Sequence, residues 1–375
     1  MAKNVTDDLL DQISKHSLDL QRIANRQDRD MSKVYNDLSK ELEQLAIKYD
    51  YTKPRNQRQR RKAFNKLQKA MRDAIAESGV VIVQAVKKGL VDVAELESEF
   101  ALGSINKAMA GTGTVQIATG KLDKKRLSAI ANDIAIQGAT QSEVWARHTR
   151  KTQERARDAM NMAWQQNEDL ATAVSRIRGT RANGFRDGIM NITKQNANTL
   201  ARTGIHSVAN QVREETYQKN TDVIKGVEFL SHLDNRTTPT CMAYHQSRWE
   251  ITPEGYRNVK GGHEFRQPPL HFNCRSTLLP VLKTKEELRQ DILNQVPKDR
   301  LETLGKDLDQ KKLSADGWLK NQSKDYQKSV LGSAYGLWNQ GKVSFSRFVT
   351  QKGRLRTPQQ VLKTYQDNGT VPKSK

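Results

Sequence analysis

The sequence predicts a mainly α-helical protein carrying one small α+β module, and three observations predict it. Of nine prolines only Pro54 precedes Pro239, and a proline inside a helix costs ~3 kcal/mol, so residues 55–238 are free to form long helices. Fourteen of the 22 aromatic residues fall from Tyr217 onward, which places the compact packing late in the chain. Both cysteines and four of the seven histidines crowd between His232 and Cys274, among Pro239, Pro253, Pro268, Pro269, Gly255, Gly261 and Gly262. That texture suits turns and short strands. The expected order is long N-terminal helices, a loop-rich Cys/His module with a short sheet, and a short helical C-terminal tail. The boundaries fall at 1–120, 121–222, 223–283 and 284–375.

Each element has its own signal. Leu9, Leu10, Ile13, Leu18, Leu20 and Ile23, then Val34, Leu38, Leu42 and Leu45, recur at roughly three- and four-residue steps, the period of amphipathic helices that need a partner in this chain or in a second copy. GTGTVQIATG (111–120) breaks the helical pattern and reads as a loop or short hairpin. Helices resume near Lys124 and run, with breaks around Gly179 to Gly188, to about Asn220. In the last of them Leu200, Gly204, Val208 and Val212 step by four beside Ala201, Ile205 and Ala209. Arg202, His206, Asn210 and Arg213 lie opposite, read as a solvated face. Val227, Phe229 and Leu233 give a period-two strand, and LLPVL (278–282) a second. Trp318, Tyr326, Leu331, Tyr335, Trp338, Phe345 and Phe348 supply an apolar patch for the tail.

Composition narrows the function classes. Lys and Arg number 63 against 42 Asp and Glu, a net charge of +21, which argues for a polyanionic neighbour. No run approaches the ~18–20 apolar residues of a membrane span, and the polar start MAKNVTDDLLDQ has no signal-peptide core. A chain made in the cytoplasm is expected, and two cysteines cannot staple 375 residues. The charge is clustered. Residues 53–72 hold nine cations and no acid, among them Lys53, Arg55, Arg58, Arg60, Arg61 and Lys62, and a second cluster includes Arg147, Arg150 and Lys151. They are either solvated helix faces or sequence-blind phosphate contacts, since no recognition-helix or zinc-finger pattern is present.

Candidate chemistry sits in the Cys/His stretch. Cys241 and His245 are four apart, His271 and Cys274 three apart, so each pair can converge on one point. Two sulfurs and two nitrogens form a common ligand set for a tetrahedral structural zinc, with His263 as a substitute ligand. The alternatives are a pair of reduced, packed thiols and a disulfide, the latter disfavoured in a protein made in the cytosol. The run HFNCR also resembles His-Asn-His nucleases, but such a site needs a further histidine in a following helix, and none follows His271. Cysteine–histidine nucleophilic catalysis would need an orienting third group and an oxyanion site. Neither is marked in the sequence.

LDNRTTPTC (233–241) and PPLHFNCRS (268–276) together resemble the phage Mu F-like head-morphogenesis family of minor head proteins. Asp234, Arg236, Thr237, Cys241, Pro268, Pro269, His271, Asn273, Cys274 and Arg275 stand at matching positions. The preceding ARTGIHSVANQVREETY is similar to the family's helix, with Gly204 where an acid is usual, and the tail from Trp318 is similar to that of many members. The resemblance covers about 124–353. It implies a non-enzymatic virion protein of a tailed phage, placed in the head interior near the portal and made in the host cytoplasm. Its partners would be the portal or major capsid protein and DNA, with self-association through amphipathic helices. A metal-dependent nuclease and a free cytosolic DNA-binding protein are the alternatives.

Overall fold

The computed structural model describes residues 5–110, 118–136, 138–284, 287–288, 314–320, 322–350 and 354–372, with side chains from Leu9 onward and without that of Trp318. Most of the glycine-rich segment expected as a loop or hairpin (111–117) lies outside the described residues. The chain divides into two compact units, each assembled from separate stretches. One comprises Leu20–Ala94 and Leu127–Val208, the other Met1–Asp19, Glu95–Arg126 and Ala209–Lys375.

The first unit is helical. It takes its part of α1 (Val5–Lys48), α2 (Gln57–Ala110), α3 (Lys124–Asp133) and α6 (Ile189–Gln218), and contains all of α4 (Gln141–Gln165) and α5 (Leu170–Arg178). A two-residue pair, β1 (Ala135–Ile136) with β2 (Ala139–Thr140), precedes α4. Leu20, Ala24, Met31, Tyr35, Leu38, Leu42 and Ala46 are buried along α1. The stripe is thus centred about one position from the expected line, and Val34 and Leu45 are half-buried at its edge while Leu18 is exposed. Asn56 accepts from the Arg58 backbone N–H at 2.8 Å and starts α2 after Pro54. Thr140 and Glu143 form a reciprocal capping box at the start of α4, and Asp169 caps α5 through the Thr172 N–H at 2.7 Å. Near Phe64, Gln68 and Arg72, α2 meets Trp164, Asn161 and Gln153 of α4, so the two run antiparallel. A Cβ on Gly204 would meet Gln141 Nε2 at 2.6 Å. The buried Gln141, itself held by Trp145 Nε1 at 3.0 Å, fills the space a larger residue would need there.

The second unit holds the sheet. Strands β3 (Ile224–Leu230), β4 (Arg248–Thr252), β5 (Gly255–Lys260) and β6 (Thr277–Leu282) pair antiparallel in the order β5-β4-β3-β6. Val227 faces Pro280 in the register, and β6 tolerates its proline because it is an edge strand. The first expected strand ends at Leu230, before Leu233, which packs with the tail instead. The β4–β5 hairpin was not expected from the sequence. Between β3 and β4 lies the short helix α7 (Pro239–Tyr244), and its two sides serve two cores. Cys241 and Tyr244 pack with Phe229, Trp249, Cys274 and Leu278 over the sheet. Met242 packs with Leu331, Trp338, Phe345 and Phe348 of the tail. Among the described residues the tail carries α8 (Ala315–Lys320), α9 (Lys324–Leu331), α10 (Tyr335–Asn339) and α11 (Pro358–Asn368).

The polar face of α6 is not solvated. In the second unit Arg213 is fully buried, bonded to Glu97 and Thr277, and Asn210 Nδ2 donates to the Ser276 carbonyl at 3.2 Å. In the first, Arg202 Nε donates to Asp28 at 2.6 Å. A face that reads as water-facing by composition is the face on which α6 is anchored.

Candidate functional site

The two sequence motifs, more than twenty-five residues apart, are knotted together in the sheet-bearing unit. At 234–237 the chain makes a turn held by its own side chains: Asp234 Oδ1 accepts from the Arg236 N–H at 2.8 Å, and Thr237 Oγ1 donates to the His232 carbonyl at 2.5 Å. Thr238 then caps α7, accepting from the Cys241 N–H at 3.4 Å, with Pro239 at the first helical position. This sets Cys241 on the sheet side of α7.

The second motif enters through the cis Pro268–Pro269 bond. Its turn is closed by the Cys274 N–H donating to the His271 carbonyl at 3.2 Å, with Asn273 at φ +60°. Asparagine is among the few non-glycine residues that adopt this left-handed conformation readily, and the turn leaves His271 and Cys274 on one side. Arg275 follows and grips Asp234 with both terminal nitrogens, at 2.6 and 2.5 Å, a bidentate pair. That bond first, against some burial, holds the Asp234 carboxyl well below the usual range. Tyr326 of α9 donates to the Asp234 carbonyl at 3.1 Å, fastening the tail to the same turn.

Between these clasps lie Cys241, His271 and Cys274, whose ligand atoms are all within 4.8 Å of one another. Cys241 Sγ is 3.6 Å from Cys274 Sγ and 3.2 Å from His271 Nε2, and Thr238 Oγ1 is 2.9 Å from the same nitrogen. The His271 Nδ1–H donates to the Phe272 carbonyl at 2.8 Å, an orienting bond that presents Nε2 to the sulfurs. Both thiols are free and buried. A hydrogen bond from Cys241, then one from His271, pull the Cys274 thiol well below its ordinary range. The bond to Cys274, then burial, push Cys241 up, and the bond with Cys274 raises His271.

The group can hold a metal ion. The edges of a tetrahedron built on Zn–S and Zn–N bonds of ~2.3 and ~2.0 Å are about 3.5–3.8 Å, against 3.6 Å between the two sulfurs and 3.2 Å from Cys241 Sγ to His271 Nε2. His245 is not part of it: it ends α7, and its Nδ1 accepts from the Ser231 N–H at 3.1 Å. The four-residue spacing that suggested convergence with Cys241 carries it past the end of the helix. His263, the substitute, stacks on Tyr244 at 4.7 Å. The cavity bordered by Cys241 and His271 measures about 10 Å³, room for about one water-sized sphere.

The basic residues belong to the helical unit. Lys53 and Arg55 lie in the loop before α2, Arg58, Arg60, Arg61 and Lys62 in its first turns, and Arg147, Arg150 and Lys151 on α4. All are exposed except Arg60, which donates to the Tyr51 carbonyl at 3.2 Å and to Asn167 at 3.0 Å while lying 5.7 Å above Trp164. Arg60 is a packing residue, and Lys53 pairs with Asp50 at 3.6 Å.

A third polar cluster, in the sheet-bearing unit, was not expected from the sequence. Glu97, fully buried on α2, pairs with Arg213 and accepts from His16 Nε2 at 2.9 Å, while His16 stacks on Phe100 at 3.6 Å. Burial alone would raise the Glu97 carboxyl, but Arg213 and His16 outweigh it and hold it low. Its surroundings, VDVAELESEF, hold three further acids, so the sequence carries no signal that singles out Glu97. No helix among the described residues is long and apolar enough to cross a membrane. Comparison with protein-family models, with curated proteins and with solved structures finds no match to this chain.

Proposed function

We propose that the chain is a non-enzymatic minor head protein of a tailed phage, resembling the Mu F-like family, with the Cys/His module as its structural knot. The observation that carries the reading is the joining of the two motifs. Asp234 meets Arg275, Thr238 meets His271, and Cys241 meets Cys274, so each motif is half of one clasp. Motif residues that close a fold need no substrate, and a cavity of about 10 Å³ favours a small ion over a reacting molecule. On this reading the ion is zinc, held by Cys241, His271 and Cys274. It would supply folding energy. The exposed arginines and lysines of the helical unit support contact with packaged or entering DNA, and the portal or major capsid protein is the expected protein partner.

Mass spectrometry of purified particles tests the assignment. The chain is expected at a few copies per particle, resistant to external protease until the head is opened. Its absence from particles, with DNA binding retained, would overturn the assignment in favour of a free cytosolic DNA-binding protein.

A further inference from the structure

The two basic runs are some eighty residues apart in sequence, yet α2 and α4 run antiparallel in one unit and bring the end of the first run, Lys69 and Arg72, beside Arg150 and Arg157 of the second. Between the helices lies a furrow of about 440 Å³, bordered by Lys69, Arg72, Arg150 and Arg157 with Glu154 as its one carboxylate. Its floor includes the buried Met71, Ala156 and Met160, a low-dielectric base that strengthens the field of the charges above it. The amides there tie the helices together: Gln68 donates to Asn161 at 2.7 Å and Gln153 to the Arg72 carbonyl at 3.0 Å. The four cations stand exposed along the rim. Arg72 and Arg157 pair with the adjacent exposed Asp73 and Asp158, at 3.7 and 2.9 Å, pairs that contribute little.

The rim extends beyond the furrow. Arg58, Lys62, Asn65, Lys69 and Arg72 recur at four- and three-residue steps, one stripe along α2. Fourteen residues of helix span ~21 Å, the axial length over which one strand of duplex DNA carries about six phosphates at ~3.4 Å each. Arg147 and Arg150 continue the opposite rim on α4.

We infer that the α2–α4 furrow is a single phosphodiester-binding track, with Lys69, Arg72, Arg150 and Arg157 as its central contacts and Arg58 and Lys62 as its extension. The inference rests on the DNA-binding part of the function proposed above. It predicts contact with backbone rather than base edges, and binding alike for all sequences.

Salt titration of the full chain on random-sequence duplex DNA reads it out. Replacing Lys69, Arg72, Arg150 and Arg157 by Gln should flatten the log–log slope by about three to four units, at ~0.9 for each phosphate no longer neutralised. The four side chains are exposed, so the melting temperature should not move. A control variant removes the same charge elsewhere, as Lys328→Gln, Lys342→Gln, Arg354→Gln and Lys363→Gln in the tail, and should leave the slope unchanged. Equal flattening by both variants would mean diffuse charge attraction, and the track would be wrong. Loss confined to a variant of Arg55, Arg58, Arg61 and Lys62 would also overturn it, by moving the contact to the start of α2. A wild-type chain that binds no DNA at low salt would instead remove the DNA-binding reading itself.

Discussion

The sheet-bearing unit and the helical unit use charged side chains in opposite ways. In the sheet-bearing unit Asp234 pairs with Arg275, His271 bonds to Thr238, and Glu97 and Arg213 are sealed from water. In the helical unit most cations of α2 and α4 project to solvent from helices joined by apolar and amide contacts, with Arg60 packed among them. Polar residues of mixed type at irregular spacing therefore mark internal architecture here. Runs of one charge at helical spacing mark a surface offered to a partner. If this contrast is right, removing a polar group should damage stability in the sheet-bearing unit and leave it nearly untouched on the basic rim of the helical unit.

The largest effect is expected at Glu97. Glu97→Ala leaves the Arg213 guanidinium buried without its carboxylate, and breaking such a pair costs about 3–5 kcal/mol. Urea unfolding should show it. Because a buried pair is often no better than well-packed apolar side chains, Glu97→Leu combined with Arg213→Met should recover much of the loss. A cost below about 1 kcal/mol for the single variant would mean that Arg213 can reach water, and the contrast would weaken.

Buried polar groups also occur in the helical unit, Asp28, Gln141 and His148 among them, and His148 gives a pH-dependent test. His148 is buried on α4, with Tyr35 Oη 2.9 Å from its Nε2. Burial first, then Arg155 and Lys151, push it down to about 4. The folded state thus resists a proton that the unfolded chain takes up near 6.5. Stability is complete above that value and falls as pH drops from 6.5 toward 4, by about 2–3 kcal/mol at the lower end. His148→Gln should remove this part of the acid sensitivity. Parallel pH–stability curves for variant and wild type would rule out the buried neutral histidine.

The knot comes next. Metal analysis of protein purified without chelator should give about one zinc per chain, and chelation should lower the melting temperature. Cys241→Ala or Cys274→Ala should abolish the zinc and cost about 1–3 kcal/mol through lost packing and bonding. His245→Ala, outside the ligand group, should keep the metal. A metal-free wild type with an unchanged melting curve would leave two packed thiols as the centre of the knot.

The sequence made the helices legible because their period is local: proline-free length, apolar steps of three and four, and capping residues such as Thr140 and Asp169 all lie within one element. It also marked β3 and β6, where Val, Phe and Leu alternate or run together. The β4–β5 hairpin was hidden because β5 is an exposed edge strand, and Arg257, Asn258 and Lys260 give it no apolar alternation. Cys241, His271 and Cys274 were legible as a ligand set by residue type. That His245 leaves the group depends on where α7 stops, which spacing alone does not contain. Glu97, His16 and Arg213 come from three helices, and their meeting is a fact of tertiary packing only.

The smallest effects sharpen the contrast most, because they compare like with like. Asp234→Asn removes the charge from the Asp234–Arg275 clasp but keeps an oxygen to accept from the Arg236 N–H. Two charge-assisted bonds are weakened at a site only partly shielded from water, so the expected loss is about 1 kcal/mol after solvent screening. The sign with pH follows from the depressed Asp234 carboxyl. The clasp contributes fully above the ordinary carboxylate value near 4 and is lost progressively as pH falls below it. The gap between wild type and Asp234→Asn should therefore be smaller at pH 3 than at pH 6. In the helical unit, Asp37 and Lys40 sit one turn apart at 3.5 Å with side chains 76% and 74% exposed. Such a pair is screened and entropically loose, so Asp37→Asn should change neither the melting temperature nor its pH dependence. Equal effects from the two substitutions would mean that the Asp234–Arg275 contact is an ordinary surface ion pair, and that the joining of the two motifs rests on Cys241, Cys274 and His271 alone.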